Sequence, residues 1–156
     1  MTRSLIRVVD VYPYRRQGSL VEFLLLKRAE GNVYQGQWRM VAGKMRPGEK
    51  AWEAALRELR EETGLSPQRF WAVPTLNVFY EWEHDRVNLI PVFAAEVAPG
   101  ARPRLNDEHE RYGWFRAETI SSHVHWPEHH RIITLIQDML HAGRIPPELE
   151  IPVKPA

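Results

Sequence analysis

Gly43–Leu65 reads GKMRPGEKAWEAALRELREETGL, and the reading of this stretch decides the fold. It carries five glutamates, Glu49, Glu53, Glu58, Glu61 and Glu62, and three arginines. The same stretch holds an apolar set, Trp52, Ala55, Leu56 and Leu59. At about 100° per residue these four form one stripe, so the spacing predicts an amphipathic helix from about Glu49 to Thr63. Gly64 ends it, because glycine tolerates the positive φ of a helix C-terminus, and Pro67 lies just beyond. Glu58, Glu61 and Glu62 stand at i, i+3 and i+4 and share a second face, roughly a quarter turn from the apolar one.

A carboxylate-rich face can be simply solvated surface. Three features argue for more. Like charges at i and i+4 cost a few tenths of a kcal/mol, about what a cation between them would recover. Lysine is absent from the second half of the helix, where the macrodipole favours it most. The helix also follows a glycine-containing loop, which lets other backbone approach the carboxylates. Hard divalent cations want such a face. Mg²⁺ takes carboxylate oxygens, waters and substrate phosphates, and a bound ion neutralises phosphate charge and acidifies water.

Upstream, Leu5–Tyr12 (LIRVVDVY) is β-branched and reads as a strand, followed by a polar turn over PYRRQGS. Leu20–Leu26 is a near-continuous apolar run, a buried strand, and Trp38–Ala42 is a short one. Downstream, Leu76, Val78, Tyr80 and Trp82 alternate with Asn77, Phe79 and Glu81, the period of a strand. Val87–Val97 is another, with Pro91 marking an edge or a bulge. Arg111–Phe115 is a third. Pro127 suits the first turn of a helix, and Ile132, Ile133, Ile136, Met139 and Leu140 keep helical spacing up to Gly143. From about residue 144 the chain is a proline-rich tail, expected to be extended. The order β-β-β-α-β-β-β-α predicts an α/β (α+β) sandwich around a mixed sheet.

With 156 residues, one domain spanning 1–156 is expected, long enough to bury a real core. The formal net charge of +1 argues against a nucleic-acid binder held by phosphate charge. No apolar run is long enough to span a bilayer, and the N-terminus lacks the pattern of a secretory signal. Cysteine is absent, which excludes disulfides, zinc–thiolate sites and a cysteine nucleophile and fits a cytoplasmic protein.

The stretch resembles the Nudix signature: Gly, five residues, Glu, seven residues, Arg-Glu, an apolar residue, any residue, Glu-Glu, any residue, Gly, and an apolar residue. Gly43, Glu49, Arg57, Glu58, Leu59, Glu61, Glu62, Gly64 and Leu65 supply it at the right spacing. A chance match is on the order of one in ten million. The resemblance implies a Nudix-type α/β/α sandwich over about Ile6–Leu140. It implies a pyrophosphohydrolase, in which water attacks a phosphorus of a diphosphate with help from Mg²⁺ or Mn²⁺. On the matching positions, Glu58, Glu61 and Glu62 would be metal ligands, with Glu58 alternatively the base. Gly43 would offer its carbonyl to metal where a side chain would crowd it. Arg57 would orient a glutamate, and Glu49 would play a supporting structural part. Family members often recruit one more carboxylate from a later loop; Asp107, Glu108 and Glu110 qualify, and Glu108 is chosen because its run leads into the last strand. A homodimer is also within the family's habits.

On the substrate side, Trp38, Tyr34, Tyr80 and Trp82 are aromatics on which a base or pterin could stack. Arg28 and Lys44 could meet phosphate oxygens. Arg28, Trp38, Lys44 and Tyr80 are therefore the expected substrate contacts. The stretch VAGKMRPGE and the downstream EHERYGWF resemble the small nucleoside or dihydroneopterin triphosphate pyrophosphatases; there, SHVHWPEHHRII would face the substrate. Hydrolysis of dinucleoside polyphosphates or nucleotide sugars, or a non-catalytic nucleotide sensor, are the alternatives. The histidines at 123, 125, 129 and 130 match no closed zinc site.

Overall fold

The computed structural model describes residues 1–154. Its nine strands are β1 (Arg3–Leu5), β2 (Val8–Gln17), β3 (Leu20–Arg28), β4 (Trp38–Arg39), β5 (Val41–Lys44), β6 (Arg69–Glu81), β7 (Arg86–Glu96), β8 (His109–Phe115) and β9 (Glu150–Ile151). Its α-helices are α1 (Ala51–Thr63), the single turn α2 (Ala117–Ile120) and α3 (Pro127–His141). The main path through the sheet is β4-β3-β2-β7-β6-β9, with β1 on β7, β5 on β2 and β8 on β3. β7 runs parallel to β1 and β2, and the other pairs are antiparallel, so the sheet is mixed as expected. Among the described residues no helix is long and apolar enough to cross a membrane.

Strand alternation divides the core into two layers. On β2, Val9 and Val11 join Leu24, Leu26, Ala54, Ala55 and Leu59 under α1. Tyr12 and Tyr14 point the other way and join Phe23, Trp71, Ile132, Ile133 and Ile136 under α3. Helix, sheet and helix thus form three layers. Leu59 is fully buried in the first of them. Leu59→Ala is expected to cost about 2–5 kcal/mol of unfolding free energy by urea denaturation, the range for a leucine truncated in a core that relaxes only in part.

Several boundaries differ from the sequence reading. The first strand breaks at Ile6–Arg7, and its second part runs through the expected turn as far as Gln17. Tyr12, Pro13 and Tyr14 hold it there, opposite Ala94, Ala95 and Glu96 of β7. Only Gly18 and Ser19 remain to turn the hairpin, with Gly18 at φ 62°. Pro91 lies inside the sheet. It faces Leu76 at the register shift between β6 and β7, at the place where β7 changes partner from β1 to β2. A residue without an N–H costs nothing in such a gap. The tail does not stay free. Phe70 and Trp71 of β6 pair with Ile151 and Glu150 of β9, and Arg69 binds the Glu150 carboxylate. Pro155 and Ala156, at the end of the expected tail, lie outside the described residues.

The face that α1 buries is also rotated from the expected one. Ala54, Ala55, Leu59 and Glu62 are buried, whereas Trp52 is exposed and Leu56 half-buried. Small alanines let the helix approach the sheet closely, and an indole would hold it off. The three signature carboxylates consequently do not share one environment, because Glu62 lies on the buried side.

Candidate active site

The site begins at the turn between β5 and α1. α1 is capped locally: the Lys50 N–H donates to the Glu53 carboxylate at 3.0 Å, and Gly64, at φ 70°, donates its N–H to the Arg60 carbonyl at 2.8 Å. Arg57 ties the loop to the helix. Its guanidinium donates to both Glu49 oxygens at 2.7 and 2.9 Å and to the Lys44 carbonyl at 2.9 Å. It also donates to Glu58 at 2.8 Å and Glu61 at 3.1 Å. The two Arg57 bonds to Glu49, with the Arg46 N–H, hold the Glu49 carboxyl down to about 2. This fork-on-carboxylate geometry is one that lysine cannot reproduce. Arg57→Lys is expected to lower turnover about 10- to 100-fold and to raise the divalent-ion concentration needed for half-maximal rate, measured by titrating the ion in steady-state assays.

Gly43 sits under Glu58. A Cβ at this position would meet the Glu58 Cδ at 2.1 Å, so glycine is required for that carboxylate to cross β5. The crowding at Gly43 comes from the Glu58 side chain. Glu62 is 2% exposed, and one of its oxygens accepts the Ala42 N–H at 3.3 Å. Burial pushes its pKa up to about 9, with Glu58 and Glu108 adding like charge. Burial also raises Glu58.

Opposite α1, the start of β8 delivers Glu108 and His109. Ligand atoms of Glu62, Glu108 and His109 lie within 4.8 Å of one another. Burial, with Arg28 beside it, lowers the His109 pKa to about 4, which leaves the imidazole neutral. The donor set fits a hard divalent cation: carboxylates converge, one is buried without a compensating charge, and a neutral imidazole, one of whose nitrogens has no hydrogen-bond partner, stands beside them. Glu61 is outside this group, at the surface between Arg46 and Arg57. His109 is not among the candidates read from the sequence, which name its neighbour Glu108.

A cavity of about 710 Å³ extends from these carboxylates across the sheet to the start of α3. Gly43, Glu58, Glu62 and Glu108 line it, as do Arg28 and Lys44. Arg28 bridges the wall, donating to Glu108 at 3.2 Å and the Val33 carbonyl at 3.0 Å. Tyr34 lines the mouth, with the Arg39 guanidinium stacked over its ring at 4.0 Å.

Two expected substrate contacts are elsewhere. Trp38 packs edge-on to Phe115 at 5.3 Å, beside the core under α3. Tyr80 projects from the outer face of β6, 54% exposed, with its hydroxyl on Asp85 at 2.7 Å. The alternation in β6 has the opposite sense from the apolar one: Leu76, Val78 and Tyr80 face out, while Asn77 is buried in the cavity wall. Trp82 is also exposed. The aromatics that line the cavity are Phe79 and Trp126, edge to face at 5.6 Å, together with Tyr34. From the histidine-rich segment, His125 and His129 line it too. Asp10 and Asn77 had a faint sequence signal, each a polar residue between two apolar strand neighbours, whereas His129 sits among Glu128, His130 and Arg131.

A family model described as the NUDIX domain matches residues 4–136. The nucleoside triphosphatase NudI of Salmonella arizonae is 30% identical over 107 residues, 64% of this chain and 76% of the relative. The MutT protein of Methanosarcina mazei superposes with a TM-score of 0.69 at 26% identity, covering 90% of this chain and 96% of that one. A C. elegans Ap4A hydrolase superposes with a TM-score of 0.72 at 19% identity, over 91% and 99% of the two chains, a likeness of fold. The signature helix, the carboxylates it presents and a family match over most of the length lead to one conclusion: this chain belongs to the Nudix family.

Proposed function

We propose that this protein hydrolyses the diphosphate linkage of a nucleoside triphosphate or a closely related nucleotide-like triphosphate, with Mg²⁺ or Mn²⁺ as cofactor. The observation that carries the reading is the buried Glu62, converging with Glu108 and His109 at one end of a cavity large enough for a nucleotide. The 30% identity to a nucleoside triphosphatase supports the substrate class.

Glu58, Glu62 and Glu108 would hold the cation, with His109 beside them and the Gly43 backbone under Glu58. When bound, the cation neutralises phosphate charge and makes a coordinated water a better nucleophile. Arg28 and Lys44 meet the phosphate oxygens from the wall. Arg57 is a positioning residue, holding Glu58 and the loop in register, and Glu61 steadies Arg57 from the solvent side. Water adds to one phosphorus, a P–O–P bond breaks, and the bridging oxygen leaves with the departing phosphate group. Glu58, half-buried and with its pKa raised, is placed to accept the proton from the attacking water.

The test is product analysis. The protein is incubated with Mg²⁺ and a panel of nucleoside triphosphates, dihydroneopterin triphosphate, dinucleoside polyphosphates and nucleotide sugars, and products are read by mass spectrometry. Monophosphate plus pyrophosphate from a triphosphate is expected. Cleavage confined to dinucleoside polyphosphates or sugar nucleotides would move the substrate class, and metal binding without any turnover would point to a sensor.

A further inference from the structure

The cavity has two chemically different ends. The end under α1 is made of carboxylates. The far end lies where β2, β6 and the start of α3 meet, and it contains buried polar groups for which the hydrolytic chemistry has no use. Asp10 is 2% exposed, between Val9 and Val11. One of its oxygens accepts the Asn77 amide N–H at 3.1 Å. With its nitrogen committed to Asp10, Asn77 is left with a buried Oδ1 that has no partner. His129 is 1% exposed, and neither of its ring nitrogens has a partner. Tyr12, whose ring meets His129 edge-on at 6.4 Å, has an unpartnered hydroxyl as well. Buried polar atoms in folded proteins are nearly always satisfied, and three unsatisfied side chains in one place call for a missing partner. Asp10, Asn77 and His129 all line the cavity.

We propose that Asp10, Asn77 and His129 form the edge that reads the heterocycle of the substrate, and that they select a 2-amino-4-oxo ring, the edge shared by guanine and pterin. This rests on the nucleotide-hydrolase reading above and names its substrate class. The argument is one of complementarity. Burial raises the Asp10 carboxyl to about 6, so above that pH it is ionised and only accepts; the free atom of Asn77 is also an acceptor, and the floor asks for two adjacent donors. A ring N–H beside an exocyclic amino group offers them. Adenine and cytosine place a ring acceptor next to the amino group, and uracil and thymine flank one N–H with two carbonyls. Each of those sets acceptor against acceptor. The neutral His129 imidazole, whose pKa burial holds at about 3, keeps one N–H to donate to the ring carbonyl. Phe79, Trp126 and Ile90 supply flat and apolar walls for the ring faces.

The test compares kcat/KM for GTP, dihydroneopterin triphosphate, ATP, CTP and UTP in the unaltered protein, Asp10→Asn and Asn77→Ala, with thermal melts confirming that each variant is folded. It also measures binding of GMP, neopterin monophosphate and AMP to the metal-free protein by calorimetry. GTP or dihydroneopterin triphosphate is expected to exceed the other three by about 100-fold or more, since a site built to pair ring donors rejects analogues that lack them. The better of these two identifies the source of the ring. Asp10→Asn replaces one acceptor oxygen with an NH2 donor and is expected to shrink that ratio at least about tenfold, whereas a merely structural defect would lower all five rates together. Asn77→Ala should shrink it in the same sense. Equal rates on all five, or a preference for another base that survives Asp10→Asn, would overturn the recognition edge and leave the hydrolase reading standing. Selective, Asp10-dependent binding of GMP or neopterin monophosphate with no hydrolysis of any triphosphate would do the reverse.

Discussion

Glu62→Gln is expected to lower turnover by about 10²- to 10³-fold at saturating Mg²⁺, the cost of removing one preorganised charge from a reacting centre. The exchange keeps shape and volume and deletes only the charge of the most buried of the signature glutamates. Its effect on stability has the opposite sign. The Glu62 carboxyl titrates at about 9 in the folded chain against 4.5 for the free side chain, because burial and the neighbouring Glu58 and Glu108 resist ionisation. The folded state therefore holds a proton that the unfolded state has lost, and the metal-free protein loses stability as pH rises from 4.5 towards 9. The amide removes that loss. Metal-free Glu62→Gln should melt no lower than the unaltered protein at pH 8, while failing to turn over substrate. Near-normal turnover would remove Glu62 from the chemistry.

Gly43→Ala is expected to cost about 10²-fold in kcat, through geometry alone. The added methyl would lie 2.1 Å from the Glu58 Cδ, far inside contact distance, so the carboxylate must leave its place over β5. The same overlap costs about 1–3 kcal/mol of stability, the usual price of overpacking. Gly100 is the control: a Cβ there meets nothing within 4 Å, and Gly100→Ala should leave both rate and melting temperature unchanged. Equal rates for the two variants would mean that the position of Glu58 does not matter to hydrolysis. Circular dichroism and steady-state rates on the pair separate loss of fold from loss of geometry.

What could be read in the sequence was what short range decides. The limits of α1, its stop at Gly64, the register of Glu49, Arg57 and Glu58, and the mixed order of strands and helices all follow from spacings of a few residues. These are the distances over which helical periodicity, caps and glycine conformations act. Arg28, at the end of β3, and Lys44, at the start of the signature stretch, both line the cavity.

Long range decided the rest. Three glutamates at i, i+3 and i+4 are near-equivalent on a helix drawn alone, yet Glu62 is buried and Glu61 faces water, because Ala54 and Ala55 turn that side of α1 to the sheet. β6 has apolar residues on the face that ends up outside, so alternation by itself could not say that Asn77 points inward and Tyr80 outward. Asp10 and Asn77 are 67 positions apart, and Arg28 and Glu108 are 80 apart. The sequence by itself determined a helix that carries carboxylates on one face and the family to which the chain belongs. Only the tertiary structure decided which carboxylate is stripped of water and which polar groups meet across the sheet, because burial and the pairing of distant strands are properties of the packed chain.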